Sequence, residues 1–327
     1  MIDKKKFDGI VTALEGIGIV PVIKLEDTSK ALKLAKALID GGIPCAEVTF
    51  RAKGADKVIA DIVKRYPDMT VGAGTVLTAE QADSAIAAGA KFLVAPGLNP
   101  RVVERALGKG IPFIPGVSSP SEIEQALELG LKYVKFFPAE QAGGIGYIKA
   151  VAAPYGDVRF MPTGGINESN ISDYLASDRV FACGGSWMVT SELVNAEKWE
   201  GITALCRSVV SKILGFELAH VGINSDSETV AVKTARLFSE AFGLENKIGV
   251  SSVFCSTGIE IMKSKYLGTN GHIAIKTNSV LRALAALKAR GFEADMDTAK
   301  YDDRKRLQAV YLKKEFGGFA VHLLQKK

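Results

Sequence analysis

The sequence has few cysteines, and their spacing argues against two common structural roles. Its four cysteines, Cys45, Cys183, Cys206 and Cys255, lie far apart and form no CxxC pair. Cysteine zinc sites use closely spaced pairs, and disulfide frameworks are dense in cysteine. We therefore expect neither, and this usage is typical of a protein in the reducing cytoplasm.

Long apolar runs and long basic runs are also missing. No apolar stretch approaches the roughly 20 residues needed to cross a bilayer, and the N-terminal segment MIDKKKFDGIVTAL lacks the apolar core of a signal peptide. The net charge of +5 is spread along the chain, with no basic run longer than Lys4 to Lys6. These absences predict a cytoplasmic protein that binds neither membranes nor nucleic acids.

Short apolar runs alternate with helical patterns from residue 18 to about residue 190. The helical segments, such as TSKALKLAKALIDGG and TAEQADSAIAAGA, begin with Ser, Thr or Asp, and several end in Gly. Eight strand–helix units over about 200 residues are typical of a (β/α)8 TIM barrel, an α/β fold, which we assign to residues 1–213. The predicted strands are GIVPVIKL, CAEVTFR, TVGAGTV, KFLVAPG, PFIPGVS, YVKFFP, RFMPTGG and VFACGGSW.

The pattern changes after Gly215. Strand-like and helical segments there follow the order βαββ twice, as a weak internal repeat. We therefore predict a second, smaller α+β domain at residues 214–327. Within it, the charged segment ADMDTAKYDDRKR is predicted to be a solvated loop.

Four polar residues interrupt the apolar strands of the predicted barrel. Because side chains alternate across a strand, Glu47, Thr49 and Arg51 should all face the barrel mouth. Lys135, in YVKFFP, should point inward between apolar neighbours. Burial disfavours the charged form of an amine such as that of Lys135. A neutral amine can form a Schiff base with a ketone, and a nearby carboxylate such as Glu47 can transfer the protons. A structural Lys135–Glu47 ion pair fits the pattern equally well.

Two glycine-rich turns follow the last two barrel strands, PTGGIN and GGSW. In barrels, the loops after strands seven and eight often offer backbone N–H groups to a phosphate. Tight turns are the alternative explanation for these glycines, but the presence of the signal in both loops favours a phosphate site.

These motifs resemble a known family. EVTFR, GAGTV, VAPGLNP, PFIPGVSSPSE, YVKFFPAE, PTGGI and GGSWM, in order over residues 5–210, resemble the 2-keto-3-deoxy-6-phosphogluconate (KDPG) aldolase family, whose members often also accept 4-hydroxy-2-oxoglutarate. The resemblance implies that Lys135 is the Schiff-base lysine and Glu47 the general acid/base. The implied substrate-binding residues are Arg51 and Thr75 for the carboxylate, Pro96 and Phe137 (or Phe136) for the pocket wall, Thr163 for a further contact, and Gly164, Gly165, Gly185 and Ser186 for the phosphate.

The resemblance also implies a keto-acid substrate, no metal cofactor and a homotrimer. One departure is Lys24, where family members often carry an arginine, so the planar guanidinium is lost. The alternatives are a phosphate-binding isomerase or synthase barrel and a non-catalytic sugar-phosphate sensor with a regulatory tail. Neither needs a lysine and a glutamate placed in this way.

All three histidines of the chain fall in the second domain. His220 and His272 occupy matching early strands of the two repeats, and Glu260 and His322 occupy matching late strands. This pattern resembles the vicinal-oxygen-chelate family, which includes glyoxalase I and is built from paired βαβββ modules. The resemblance implies a divalent metal bound by His220, Glu260, His272 and His322, although the family commonly has a glutamate where this chain has His322. Hydrogen-bonded core histidines are one alternative, and an interaction or regulatory module that retains the fold is another.

Overall fold

The computed structural model describes residues 4–326. The chain divides into two compact units at the junction between Ile213 and Leu214. No helix in the described residues is both long and apolar enough to cross a membrane.

The N-terminal unit is built on short parallel strands that are almost completely buried. Both faces of these strands are buried, as expected for parallel strands covered by helices. Pro115, which lacks a backbone N–H, separates β5 from β6, so these two form one interrupted strand position. The strands are β1 (Ile19–Ile23), β2 (Cys45–Thr49), β3 (Thr70–Gly74), β4 (Phe92–Val94), β5 (Phe113–Ile114), β6 (Gly116–Val117), β7 (Tyr133–Phe136), β8 (Arg159–Pro162) and β9 (Cys183–Gly185).

These strands occupy eight consecutive positions of a TIM-like α/β fold. Hydrogen bonds join them in the orders β5-β4-β3-β2-β1-β9 and β6-β7-β8. Parallel bridges from Phe160 to Val180 and from Thr163 to Gly184 connect β8 with β9. Because all the strands are parallel, their carboxyl ends meet on one face, which is where barrel enzymes place their sites.

Helices follow the strands, and several begin with a side-chain cap. The Thr78, Asn99 and Ser119 side chains each accept a hydrogen bond from the first turn of the next helix. The helices of this unit are α1 (Lys4–Ile17), α2 (Ala31–Asp40), α3 (Ala55–Arg65), α4 (Ala79–Ala87), α5 (Pro100–Gly108), α6 (Pro120–Glu128), α7 (Gly144–Val151), α8 (Ile171–Leu175), α9 (Ser191–Asn195) and α10 (Trp199–Leu214).

The C-terminal unit contains one eight-stranded mixed sheet in two matching halves. Its order, β11-β12-β13-β10-β14-β17-β16-β15, places the first strands of the two halves side by side at the centre. The first half is β10 (Glu217–Ile223), α11 (Glu228–Phe242), β11 (Asn246–Ile248), β12 (Ser252–Cys255) and β13 (Ile259–Met262). The second half is β14 (Gly271–Thr277), α12 (Val280–Ala289), β15 (Ala294–Tyr301), β16 (Leu307–Leu312) and β17 (Phe319–Gln325).

The βαββ order predicted from the sequence pattern is wrong by one strand in each half of this unit. Each half has the order βαβββ, and the missed strands are β11 and β15. The first eight residues of the segment predicted as a solvated loop, ADMDTAKY, form β15. Both strands lie at sheet edges, and neither contains a buried residue. Without buried positions a strand has no apolar alternation, which is the signal on which the prediction depends.

Candidate active site

The carboxyl ends of the barrel strands enclose a cavity of about 340 Å³. Seven of the eight strand positions contribute residues to its wall. The structure brings together around it all the residues predicted for the barrel site, which are Lys135, Glu47, Arg51, Thr75, Pro96, Phe137, Thr163, Gly164, Gly165, Gly185 and Ser186.

Lys135 and Glu47 form a buried pair on the cavity wall. The Lys135 Nζ lies 3.4 Å from Glu47 Oε1, and the two residues are only 5% and 0% exposed. The ammonium group also lies 5.5 Å from the centre of the Phe137 ring, within range of a cation–π contact. Glu47 Oε2 has no hydrogen-bond partner among the described residues, so the carboxylate keeps an acceptor for a reacting group.

The Glu47 carboxylate fits only because the neighbouring strand has no side chain at Gly74. A Cβ built on Gly74 would lie 2.2 Å from Glu47 Oε1. No real contact is that short, so any larger residue here would push the carboxylate away from Lys135. The GAGTV motif therefore supplies room for the acid on the adjacent strand.

Two polar residues of the first strands have other roles. Thr49 is buried but does not line the cavity, and its hydroxyl donates to the Ile23 carbonyl oxygen at 2.8 Å. The prediction that Thr49 faces the barrel mouth is therefore wrong, because its buried hydroxyl bonds to the neighbouring strand instead. Lys24 does not line the cavity either; its ammonium lies 2.7 Å from Glu26 Oε1 on the surface.

Thr75 has a strained backbone. Its φ is +56°, a left-handed conformation that is an outlier for a β-branched residue. Such strain costs on the order of 1–3 kcal/mol and persists mainly where function requires it. Thr75 follows β3 directly and lines the cavity, so its position fits a role in substrate binding.

The loop after β8 presents unpaired backbone donors. Gly164 and Gly165 both have positive φ, at +98° and +80°. Among the described residues, the N–H groups of Gly165 and Ile166 donate to no other group. Gly185 and Ser186 line the same cavity from β9. Free N–H groups in such a turn are suited to bind an anion.

Three further residues line the cavity that the sequence analysis did not identify: Val22, Gly184 and Ile166. Ile166 belongs to the PTGGI motif and Gly184 to the GGSW motif, so the sequence contained a signal for both residues. Val22 lies in a strand that is buried along its whole length, so periodicity does not single it out. Of the two candidate phenylalanines, Phe137 lines the cavity, whereas Phe136 is buried and stacks on Tyr147.

Comparisons with known proteins show the family of the N-terminal unit. The family model for KDPG and KHG aldolases matches residues 10–205, more than half of the chain. The chain belongs to the KDPG and KHG aldolase family. The match ends before the C-terminal unit begins.

Members of this aldolase family from several bacteria are similar to the chain. A 2-dehydro-3-deoxy-phosphogluconate aldolase of Treponema pallidum is 52% identical over 201 residues, which are 62% of this chain and 96% of that protein. A KHG/KDPG aldolase of Escherichia coli is 43% identical over 192 residues, 59% of this chain and 90% of that protein. The KDPG aldolase structure from Legionella pneumophila, with pyruvate captured as a covalent carbinolamine intermediate, is 40% identical, with a TM-score of 0.60 over 61% of this chain and 97% of that one.

The C-terminal unit holds a second polar cluster, made of the four residues predicted there. His220, His272, Glu260 and His322 lie on β10, β14, β13 and β17, which are adjacent in the sheet. One nitrogen from each histidine lies within 4.8 Å of the other two. Glu260 Oε2 lies 3.1 Å from the Nε2 atoms of both His220 and His272, which are themselves 3.1 Å apart.

The protonation states in this cluster suit a cation. Burial, reinforced by His272 and His220, lowers the pKa of His322 to about 3. Burial alone would raise the pKa of Glu260, but hydrogen bonds from His220, His272 and Ser252 lower it below the ordinary value. At neutral pH the cluster therefore contains a neutral imidazole at His322 and a carboxylate at Glu260, the forms in which these residues bind metals.

Gly74→Ala tests the fit of the Glu47 carboxylate. The added methyl group must displace Glu47 from Lys135, and loss of a positioned acid/base should lower the kcat for aldol cleavage by about 10²-fold or more. Gly108→Ala is the control, because a Cβ there has nothing within 4 Å. Steady-state kinetics of both variants measure the effect, and an unchanged kcat in Gly74→Ala would contradict this account of the site.

Proposed function

We propose that the barrel is a class I aldolase that cleaves KDPG to pyruvate and glyceraldehyde 3-phosphate. We propose 4-hydroxy-2-oxoglutarate, which yields pyruvate and glyoxylate, as a second substrate. The observation that carries this proposal is the buried Lys135–Glu47 pair, 3.4 Å apart, on the wall of the cavity. The family membership supports it, because the relatives named above are KDPG or KHG aldolases.

The proposed reaction begins with Lys135. It gives a proton to Glu47, and the neutral amine attacks the C2 ketone. The carbinolamine hydroxyl then takes a proton from Glu47 and leaves as water, which forms the iminium ion. Glu47, acting through a water, removes the proton from the C4 hydroxyl. The C3–C4 bond then breaks, its electron pair moves into the iminium, and the aldehyde leaves. The enamine that remains is protonated at C3 and hydrolysed, which releases pyruvate and restores the free lysine.

The other cavity residues would orient the substrate. Arg51 and Thr75 bind the carboxylate of the pyruvyl part, since a guanidinium can form two parallel hydrogen bonds with it. Pro96 and Phe137 form the apolar wall. Thr163 contacts the substrate, and Gly164, Gly165, Gly185 and Ser186 bind the phosphate through backbone N–H groups.

The alternative barrel functions explain fewer of these features. A phosphate-binding isomerase, a synthase or a non-catalytic sensor would use the glycine loops. None of them needs a lysine and a glutamate buried together, and a catalytic role explains why the protein tolerates the desolvation cost of this pair. Our proposal includes a homotrimer, which the family resemblance implies, and a cytoplasmic location, which the cysteine usage favours.

Trapping with pyruvate and borohydride tests the Schiff base. Reduction should attach pyruvate irreversibly to Lys135, and peptide mass spectrometry should locate it there. Lys135→Ala should abolish the adduct, whereas Lys132→Ala, which removes a neighbouring exposed lysine, should keep it. Glu47→Gln should lower kcat by about 10²- to 10⁴-fold, the usual range for a lost acid/base. An adduct on another lysine, or none, would refute the mechanism.

For the C-terminal unit we propose a divalent metal site in a vicinal-oxygen-chelate type of fold. The residues present fit such an ion, because they offer imidazole nitrogens and one carboxylate from four adjacent strands. His322 Nε2 and His272 Nδ1 are buried and have no hydrogen-bond partner among the described residues. His220, Glu260, His272 and His322 would hold the ion, which would act as a Lewis acid toward a ligand with two adjacent oxygens.

Elemental analysis of the protein, purified without chelator or histidine tag, tests the metal site. We expect about one divalent metal per chain, as four convergent ligands allow. The His220→Ala/His272→Ala double variant should lose the metal, and Lys135→Ala, a change in the other unit, should retain it. If no metal binds even after loading with zinc, nickel, manganese or iron, the unit is instead a packing or regulatory module.

A further inference from the structure

Glu140 lies directly behind the glycine loop that follows β8, although the proposed reaction gives it no role. Its backbone N–H donates to the Gly164 carbonyl at 3.1 Å, and the preceding N–H, of Ala139, donates to the Thr163 carbonyl at 2.8 Å. Glu140 does not line the cavity. Any effect on the substrate must therefore pass through the loop.

The Glu140 side chain packs under the backbone of Gly165. A Cβ built on Gly165 would lie 2.5 Å from Glu140 Cγ and 2.6 Å from its Cβ. The Cβ and Cγ atoms of Glu140 therefore occupy the space that the side chain of any other residue at position 165 would need. This contact limits how closely the backbone of the loop can approach Glu140.

A buried tyrosine anchors the otherwise exposed Glu140 carboxylate. The Tyr174 hydroxyl, on α8, donates a hydrogen bond to Glu140 Oε1. Tyr174 is only 1% exposed, and burial together with this carboxylate raises its pKa above the ordinary value, so the hydroxyl remains a donor. Gly144 leaves room for the contact, because a Cβ there would lie 3.2 Å from the Tyr174 hydroxyl.

A third carbonyl of the loop, that of Gly165, also accepts hydrogen bonds. The amide groups of Asn167 and Asn170 both donate to the Gly165 carbonyl at 3.1 Å. The carbonyl oxygens of Thr163, Gly164 and Gly165 thus all accept hydrogen bonds from other groups of the protein. The N–H groups of Gly165 and Ile166 are left without partners in the described structure and can turn toward a ligand.

We propose that Glu140, anchored by Tyr174, is a positioning residue that determines specificity for the phosphorylated substrate. It holds the Thr163–Ile166 loop so that the free N–H groups are already ordered for the phosphate. Pre-ordering removes an entropic cost that a loose loop would incur on binding. The inference rests on the proposed aldolase function, and it assigns Glu140 no part in the Schiff-base chemistry.

Steady-state kinetics with KDPG and with 4-hydroxy-2-oxoglutarate test this proposal. Glu140→Ala should raise the KM for KDPG about tenfold, as expected when one or two hydrogen bonds to a charged group are weakened. The kcat/KM for 4-hydroxy-2-oxoglutarate, which has no phosphate, should stay within about twofold, since distant and independent interactions are additive. Glu140→Gln should restore the KM for KDPG, because its carbonyl oxygen can still accept from Tyr174 and its methylenes still pack.

Tyr174→Phe removes one oxygen and provides a second test if Glu140→Ala fails to fold. It should raise the KM for KDPG, and the Tyr174→Phe/Glu140→Ala double variant should be no worse than Glu140→Ala, because both act through one contact. Equal losses on both substrates would show a merely structural role and overturn the proposal. An unchanged KM for KDPG, or a wild type that does not prefer KDPG, would also overturn it.

The pyruvate–borohydride adduct on Lys135, measured in each variant, separates the two levels of failure. If the adduct forms in all variants but the substrates show no divergence, only the role of Glu140 is refuted. If the wild type forms no adduct, the proposed aldolase function fails, and the inference fails with it.

Discussion

The barrel is organised around the burial of two opposite charges beside a cavity. Removing either Lys135 or Glu47 from water alone would cost on the order of several kcal/mol, and their mutual attraction offsets this only when the geometry is good. The surroundings provide that geometry. Gly74 leaves space for the carboxylate, and the Phe137 ring lies beside the ammonium group. A pair of apolar side chains would be cheaper to bury, so the charges are best explained by chemistry.

Side chains and backbone groups have different roles in the cavity. On β2 and β7, the reactive side chains of Glu47 and Lys135 face one another beside the cavity. After β8, the exposed groups are backbone N–H donors, held in place by hydrogen bonds to the opposite face of the loop. A rigid scaffold thereby positions two kinds of group that meet different parts of one substrate.

Much of this arrangement could be predicted from the sequence, because its signals are local. Most barrel strands are short apolar runs, and polar residues within or just after these strands line the cavity. The contact of Tyr174 with Glu140 could not be predicted in this way, since 34 residues separate them and neither breaks a pattern. The need for glycine at position 74 could not be predicted either, because it depends on the position of the Glu47 carboxylate on the neighbouring strand.

The two strands that the sequence analysis missed show what a sheet edge requires. An edge strand exposes unpaired N–H and carbonyl groups, which can template pairing with another chain. β11 carries Lys247, and β15 carries Asp297 and Lys300, all three of them exposed. Charges of this kind discourage a second sheet from docking on either side. These strands were not predicted because they lack an apolar pattern. The same lack of apolar residues protects the sheet edges against aggregation.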